Sequence, residues 1–351
     1  MESGAGNYAG YRDEDYRHSG ALIVSTSEVW ETSEIIIKIR PLLLNTTLNI
    51  HEAELLKNCK LLISYLFLRE NERLGEFFKT YENLTVFALE CTPRITRAQK
   101  LDTLSSTTNL VGYRAVLEAF THLPKCSKSQ ITAAGKIPPS KVFIIGAGVA
   151  GLAAIGVARS LGAVVRAFDS RAETREQIES LGGEFVVMDY KEEGGGGGGY
   201  GKQMSERYYD EQKKMVMKQA KEVDVIITTA LIPFQKAPIL VNANIVRAMK
   251  PGSVIVDLAA ERGGNCELTR YFKNLLPGGG LLFLFICRPG ETFVDPESGV
   301  TIVGYYDFPS RMAKQTSDLF STNMYNLIEE LLEIPKNKGD FKKNEKSKIR
   351  F

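Results

Sequence analysis

The sequence has no hydrophobic run long enough to cross a bilayer. Its longest purely apolar stretch is residues 281–287, well short of the roughly 20 residues that a membrane-spanning helix needs. No charged segment followed by an apolar one opens the chain, so we expect no secretory signal peptide. The chain itself is therefore expected to be soluble.

Clustered cysteine and one-sided charge are also lacking. The five cysteines are scattered, none is spaced as Cys-x-x-Cys, and no group of Cys and His has zinc spacing. We therefore expect reduced thiols and no metal site. Lys and Arg total 44 against 42 Asp and Glu, so the net charge of +2 gives no reason to expect a nucleic-acid partner.

The length and composition are those of a globular α/β protein. The 351 residues allow about two domains. Strand candidates at 35–39, 61–66 and 87–89 alternate with helical patterns, and the composition shifts to Pro, Ser, Lys and Gly at 124–140. We assign 1–124 to a first α/β domain that a helix at 311–334 completes, and 125–310 to a second domain. The basic tail 335–351 is expected to be disordered.

Six strand candidates with helical segments between them occupy the second domain. They lie at 141–146, 164–169, 184–189, 223–229, 253–259 and 300–305. This pattern predicts a Rossmann-like domain, a doubly wound six-stranded parallel sheet that binds a dinucleotide. Six consecutive glycines at 194–199 indicate a loop or linker. The apolar run within 270–299 is read either as an extra strand or as a sequence error.

A glycine turn follows the first of these strands. Residues 146–151 have the G-x-G-x-x-G pattern between a strand and a helix. Gly146 allows the tight turn, Gly148 lets the backbone approach a pyrophosphate, and Gly151 lets the helix pack closely on the strand. The phosphates would lie at the helix N-terminus, beside Val149 and Ala150, where unpaired N–H groups favour anions.

An acidic residue ends the second strand. Asp169 lies 23 residues after Gly146, close to the roughly 20 expected of a carboxylate that binds ribose hydroxyls. Its charge favours NAD over NADP, and Ser170 and Arg171 follow it, although an Arg here can also accommodate a 2′-phosphate. The alternative is a strand end that binds no ligand.

Further candidates follow the fourth and fifth strands, because ligands of open parallel sheets lie beyond the carboxyl ends of the strands. These candidates are Thr229, Ala230, Leu231 and Asn265. A ligand-binding interpretation and an ordinary loop are equally compatible with them.

Longer motifs carry a resemblance to a known family. They include PRITRAQKLDTLSS at 93–106, NLVGYRAV at 109–116, TAAGKIPP at 132–139 and ESLGGEF at 179–185, with 146–151, 228–233, 257–268 and 309–313. Over most of 8–334 the chain resembles the soluble NAD(H)-binding component of proton-translocating NAD(P) transhydrogenase, in the alanine dehydrogenase/transhydrogenase family. The resemblance implies two Rossmann-like domains, of which the first lacks its initial strand here.

The resemblance also implies an activity and partners. NAD(H) held here would exchange a hydride directly with NADP(H) held by a partner domain, coupled to proton movement through a membrane proton-channel domain. A homodimer is implied, peripheral to an energy-coupling membrane, either the mitochondrial or the bacterial inner membrane. Arg94, Asp102 and Ser105 would hold the nicotinamide and its carboxamide, and Gln99 would lie where the nucleotides meet. Tyr200 would close over the bound nucleotide.

The sequence leaves two other functions open. In an alanine dehydrogenase the resemblance implies a histidine after a Tyr-Leu pair, but Phe67 stands there, and His18, His51 and His122 lie in no matching motif. This makes a substrate dehydrogenase the weaker interpretation. A non-catalytic NAD-binding module would keep the glycine turn and Asp169 but transfer no hydride.

Overall fold

The computed structural model describes residues 1–68, 71–190, 192, 204–231, 236–269, 271–275, 281–285 and 291–331. The helices are α1 (Asp13–His18), α2 (Thr26–Thr32), α3 (Glu72–Phe78), α4 (Thr103–His122), α5 (Val149–Ser160), α6 (Thr174–Ser180), α7 (Glu206–Ala220), α8 (Ala243–Arg247) and α9 (Ala313–Leu331). None of these described helices is both long enough and apolar enough to cross a membrane.

The strands alternate with these helices along much of the chain. They are β1 (Ile35–Lys38), β2 (Leu44–Asn45), β3 (Ile50–His51), β4 (Leu61–Ser64), β5 (Thr85–Ala88), β6 (Gln130–Thr132), β7 (Gly135–Ile137), β8 (Lys141–Ile145), β9 (Val164–Phe168), β10 (Glu184–Phe185), β11 (Val225–Thr228), β12 (Val254–Asp257), β13 (Tyr271–Leu275), β14 (Leu281–Phe285), β15 (Thr292–Val294) and β16 (Thr301–Val303).

The chain divides into two compact units. The first comprises Met1–Ser106 and the chain from Ala313 onward, and the second comprises Thr107–Met312. The predicted boundaries at 124/125 and 310/311 fall at different positions, because most of α4 belongs to the second unit. A short 3₁₀ turn, Pro309–Met312, precedes α9, so the helix begins two residues later than predicted.

The second unit is built on a seven-stranded sheet of order β10-β9-β8-β11-β12-β16-β15. The first six of these are the predicted strands, all parallel, which confirms the doubly wound fold. The seventh, β15, was not predicted and runs antiparallel to β16 at the sheet edge. The strand order reverses between β8 and β11, so a crevice is expected beyond their carboxyl ends.

Alternating side chains bury both faces of this sheet. On β8, Val142 and Ile144 pack with Ala154 of α5 on one face. Phe143 and Ile145 pack with residues of α7 and α8 on the other. Since successive side chains of a strand point to opposite faces, the run Lys141–Ile145 serves two cores at once. Helix α5 and the turn before it are therefore held against a rigid support.

The first unit has a smaller sheet of three parallel strands, in the order β1-β4-β5. Leu62 belongs to one core cluster, with Trp30 of α2. Ile63 belongs to another, with Met324 and Leu327 of α9. The helix from the end of the described chain therefore covers one face of the first sheet.

Two hairpins extend the second unit. β13 and β14 pair antiparallel, so the apolar run beginning at Leu281 is a strand. β6 and β7 form the other hairpin, on which Ile131 is 88% exposed. The glycine run at 194–199 lies outside the described residues.

Candidate functional site

The glycine turn at the end of β8 has a geometry that only glycine satisfies. Gly146 has a φ of +103°, and a Cβ added to it would lie 2.3 Å from Oγ1 of Thr229. A Cβ on Gly151 would lie 1.8 Å from the carbonyl oxygen of Gly146. The positive φ therefore requires glycine at position 146, and the close approach of the Gly146 carbonyl requires it at position 151.

The N-terminus of α5 is open. Gly148 is its N-cap residue and no side chain caps the helix. A Cβ added to Gly148 would meet no atom within 4 Å, so the space in front of it is unfilled among the described residues. Val149, the first helical residue, is exposed, whereas Ala150 is buried. Unpaired N–H groups at such a terminus suit a phosphate, and the residues present fit the pyrophosphate of a dinucleotide.

Asp169 lies beside this turn, directly after β9, and is nearly buried. Its Oδ2 accepts hydrogen bonds from the backbone N–H of Ala147 at 2.6 Å and from Nη2 of Arg171 at 2.9 Å. Its Oδ1 accepts from the backbone N–H and Nε of Arg171, both at 2.9 Å. A carboxylate offers about four acceptor positions. In this structure the chain's own donors occupy them.

The pairing with Asp169 also determines the position and the pKa of the Arg171 side chain. Its hydrogen bonds to that carboxylate raise the pKa of the Arg171 guanidinium above its ordinary value. Ser170, between them, is half-buried. Because these donors saturate the Asp169 carboxylate, any further donor would bind it only in exchange for one of these hydrogen bonds.

The end of β11 contacts the glycine turn directly. Oγ1 of Thr229 donates to the carbonyl oxygen of Gly146 at 3.1 Å. Ala230 follows, and Leu231 is exposed. The amide of Asn265 accepts from the N–H of Ala230 at 3.1 Å and donates to its carbonyl at 2.8 Å. Asn265 is fully buried, so it supports the loop after β11 through these bonds.

Asp257 organises the neighbouring loop and was not singled out as a site residue by sequence reasoning. This fully buried carboxylate accepts hydrogen bonds from the N–H groups of Ala259 and Cys266, at 3.0 and 2.9 Å. The hydroxyls of Thr228 and Thr269 donate to it as well. The sequence signal for this role was an acidic residue at the end of an apolar strand, because a buried carboxylate needs several hydrogen-bond donors.

In the first unit, three of the residues assigned to the nicotinamide lie close together. Asp102 is buried, and its oxygens accept from the N–H of Ser105 at 2.9 Å and from its Oγ at 2.6 Å. Nε of Arg94 lies 4.0 Å from Oδ2 of Asp102. Gln99 is exposed on the 3₁₀ turn between them. The cluster therefore combines a cation, an anion and a hydroxyl, the donors and acceptors that a carboxamide needs.

Two family models match this chain. Residues 1–111 match the description "Alanine dehydrogenase/PNT, N-terminal domain", and residues 115–285 match "Alanine dehydrogenase/PNT, C-terminal domain". The chain belongs to the alanine dehydrogenase/PNT family.

Relatives within this family extend over nearly the whole chain. It is 44% identical over 342 residues to "NAD(P) transhydrogenase subunit alpha" of Cereibacter sphaeroides, covering 97% of this chain and 60% of that protein. It is 46% identical over 328 residues to the protein of the same name from Haemophilus influenzae, covering 93% of this chain and 59% of that protein. The chain thus spans about 60% of the length of these two relatives.

A solved structure agrees with these matches. The crystal structure of transhydrogenase from Sinorhizobium meliloti aligns with a TM-score of 0.75 and 34% identity, over 95% of this chain and 84% of that one. The α/β fold with its mainly parallel seven-stranded sheet is therefore that of transhydrogenase structures.

This family member has a polar network at the end of β4 that the sequence did not reveal. The hydroxyl of Tyr65 donates to Oγ1 of Thr103 at 2.6 Å. Phe67, which stands where a histidine was expected of an alanine dehydrogenase, has a φ of +49°. The carboxylate of Glu90 accepts from the N–H groups of Leu66 and Phe67, at 3.0 and 2.5 Å, and stabilises that backbone conformation.

Of the predicted site residues, only Tyr200 lies outside the described residues. The second unit brings Gly146, Asp169, Arg171 and Thr229 to the carboxyl ends of β8, β9 and β11. The first unit brings Arg94, Asp102 and Ser105 together in a separate cluster.

Proposed function

We propose that this chain is the NAD(H)-binding component of a proton-translocating NAD(P) transhydrogenase. It would exchange a hydride with NADP(H) held by a partner domain, and a membrane proton-channel domain would couple that exchange to proton translocation. The observation that carries the proposal is the placement of Asp169 beside the uncapped N-terminus of α5. This is where the ribose and pyrophosphate of a dinucleotide are bound in doubly wound folds.

The adenosine half would be held by the second unit. The open space before Gly148 admits a pyrophosphate, and the first N–H groups of α5 donate to it. Asp169 accepts from the ribose hydroxyls as Arg171 withdraws. Its negative charge repels a 2′-phosphate, so the site prefers NAD(H) to NADP(H), while Arg171 limits that preference. We assign Ser170, Ala230 and Leu231 to the border of the same proposed site.

We assign the nicotinamide half to the residues at 94–105 that the family resemblance implies. Arg94, Asp102 and Ser105 orient the ring through its carboxamide, and exposed Gln99 lies where the second nucleotide approaches. The bound nicotinamide supplies or accepts the hydride. Hydride transfer requires no general acid or base, only aligned rings and exclusion of water. Oriented polar side chains are therefore sufficient, and we assign to Tyr200 the role of covering the bound nucleotide.

The assembly would be a homodimer attached to an energy-coupling membrane through its partner subunits. The β6–β7 hairpin carries two exposed apolar side chains, Ile131 and Ile137, which a contact with a second copy would cover. Sedimentation of the purified chain tests this assignment: a dimer supports it and a monomer at micromolar concentration contradicts it.

The deciding experiment mixes the purified chain with an NADP(H)-binding domain from the family. Hydride transfer from NADH to bound NADP above the partner-only control would establish the function. NADH binding without transfer would support a non-catalytic NAD-binding module instead. Gln99→Ala separates the steps further, because we expect it to slow transfer more than it weakens NADH binding.

A further inference from the structure

Three side chains of α9 contact Lys100, a residue of the nicotinamide loop (residues 94–105). The carbonyl oxygen of Lys100 accepts hydrogen bonds from Nδ2 of Asn323 at 2.8 Å and from Nδ2 of Asn326 at 3.1 Å. The ammonium of Lys100 pairs with the carboxylate of Glu330. Lys100 lies between Gln99 and Asp102, so these contacts hold the loop between two of its assigned functional residues.

The three α9 residues form one face of the helix. Asn323, Asn326 and Glu330 are spaced i, i+3 and i+7, which places them in a line on the helix surface. Between them, Met324 and Leu327 pack against Ile63 in the core of the first unit. The face that contacts the loop is therefore anchored by the adjacent face, which is fixed in the core.

The burial of Asn323 indicates a specific role for its amide. It is only 6% exposed, yet its Oδ1 has no hydrogen-bond partner among the described residues. An unpaired buried acceptor lowers stability. A side chain chosen for packing alone would be apolar, so the donated bond to Lys100 is the feature that an asparagine supplies here.

We propose that α9 positions the nicotinamide loop and that Asn323 is a positioning residue for hydride transfer. The bonds to Lys100 fix the backbone that carries Gln99 and Asp102, and so set where the nicotinamide ring lies. This inference rests on the proposed function, because it assumes that residues 94–105 hold the nicotinamide.

The test compares two probes that differ at the nicotinamide end. NADH contains the ring, whereas ADP-ribose has the same adenosine and pyrophosphate without it. We expect the unaltered chain to bind NADH more tightly than ADP-ribose. In Asn323→Leu/Asn326→Ala the preference for NADH should fall by about tenfold, the size expected of a lost buried hydrogen bond. ADP-ribose affinity should change by less than about twofold.

Matched variants separate positioning from general stability. Leu327→Val loosens the α9 core without touching Lys100, and should lower the melting temperature while preserving the preference for NADH. Asn326→Gln keeps an amide donor and should retain more of that preference than Asn326→Ala. Should the double variant fail to fold, Asn326→Ala/Glu330→Gln removes exposed contacts to Lys100 and should lower the preference by a smaller factor.

The outcomes distinguish the two proposals. Equal losses for both probes, or an unchanged preference in a folded variant, would overturn the positioning role of α9. If the unaltered chain shows no preference for NADH and Asp102→Ala changes nothing, the assignment of the nicotinamide loop fails, and the positioning role fails with it. If the unaltered chain prefers NADH, and Asp102→Ala reduces that preference while the α9 variants do not, then only the positioning role is refuted.

Discussion

The candidate sites of the two units are formed in different ways. In the second unit, backbone atoms define the site: the turn at Gly146 and Gly151, and the N-terminus of α5, rest on a sheet with a core on each face. In the first unit, side chains define it: Asp102 and Ser105 are held on a loop that α9 supports. A site built from backbone atoms loses its ligand affinity when a substitution adds a side-chain atom. A site built from side chains loses affinity step by step as single hydrogen bonds are removed.

The largest effect on stability and NADH binding is expected from adding a side-chain atom at the glycine turn. Gly151→Ala places a Cβ 1.8 Å from the carbonyl oxygen of Gly146, so we expect the second unit to be destabilised by about 2 kcal/mol or more. NADH binding should fall at least about tenfold with it. Thermal unfolding and NADH titration measure both effects.

Gly156→Ala is the matched control on the same helix. Its added Cβ meets no atom within 4 Å, so it should stabilise the chain by roughly 0.5–1 kcal/mol and leave NADH binding intact. Equal damage from both substitutions would show that the packing at the glycine turn has no special role.

Next in size is the loss of the Asp169 carboxylate, the proposed ribose ligand. Asp169→Ala should weaken NADH binding by about tenfold, since the bonds lost involve a charged acceptor. It should also reduce discrimination against NADPH. Arg171→Gln should increase that discrimination, because the guanidinium that could contact a 2′-phosphate is removed. Parallel titrations with NADH and NADPH decide, and unchanged selectivity in both variants would refute the ribose assignment.

A smaller effect is expected in the side-chain site. Asp102→Ala removes the acceptor for the N–H and hydroxyl of Ser105. We expect about fivefold weaker binding of NADH and little change for ADP-ribose, because the remaining contacts of the loop persist. Ser105→Ala should cost less than Asp102→Ala, and the reverse order in calorimetric titrations would argue against Asp102 as the centre of the cluster.

The smallest effect concerns the first unit's core alone. Burial raises the pKa of the Cys59 thiol from 9 to about 11. The unfolded chain loses that proton first, so the stability from this group is complete below pH 9 and is lost as pH rises through 11. Relative to Cys59→Ala, unfolding by urea should show an extra loss on the order of 1 kcal/mol over this range. Identical pH profiles would contradict a buried neutral thiol.

The difference between the two units also explains which features the sequence could predict. The six parallel strands follow from the periodicity of the apolar residues. The glycine turn follows from a close approach of the chain that only glycine allows. Strand β15 is three residues long and carries too little pattern. The support of Lys100 by Asn323 joins residues more than 200 positions apart. No local signal marks such a pair, and the same holds for the bond between Tyr65 and Thr103.

The buried carboxylate of Asp257 has a consequence for local opening of the chain. It binds the amide protons of Ala259 and Cys266, and neighbouring Asn265 binds that of Ala230. These amides lie outside the regular strands, where hydrogen exchange is ordinarily fast. Here the protons of Ala259 and Cys266 can exchange only after the buried Asp257 carboxylate loses its donors, and that of Ala230 only after the buried Asn265 amide does. This loop should therefore exchange as slowly as the strands beside it and open only when the whole sheet does.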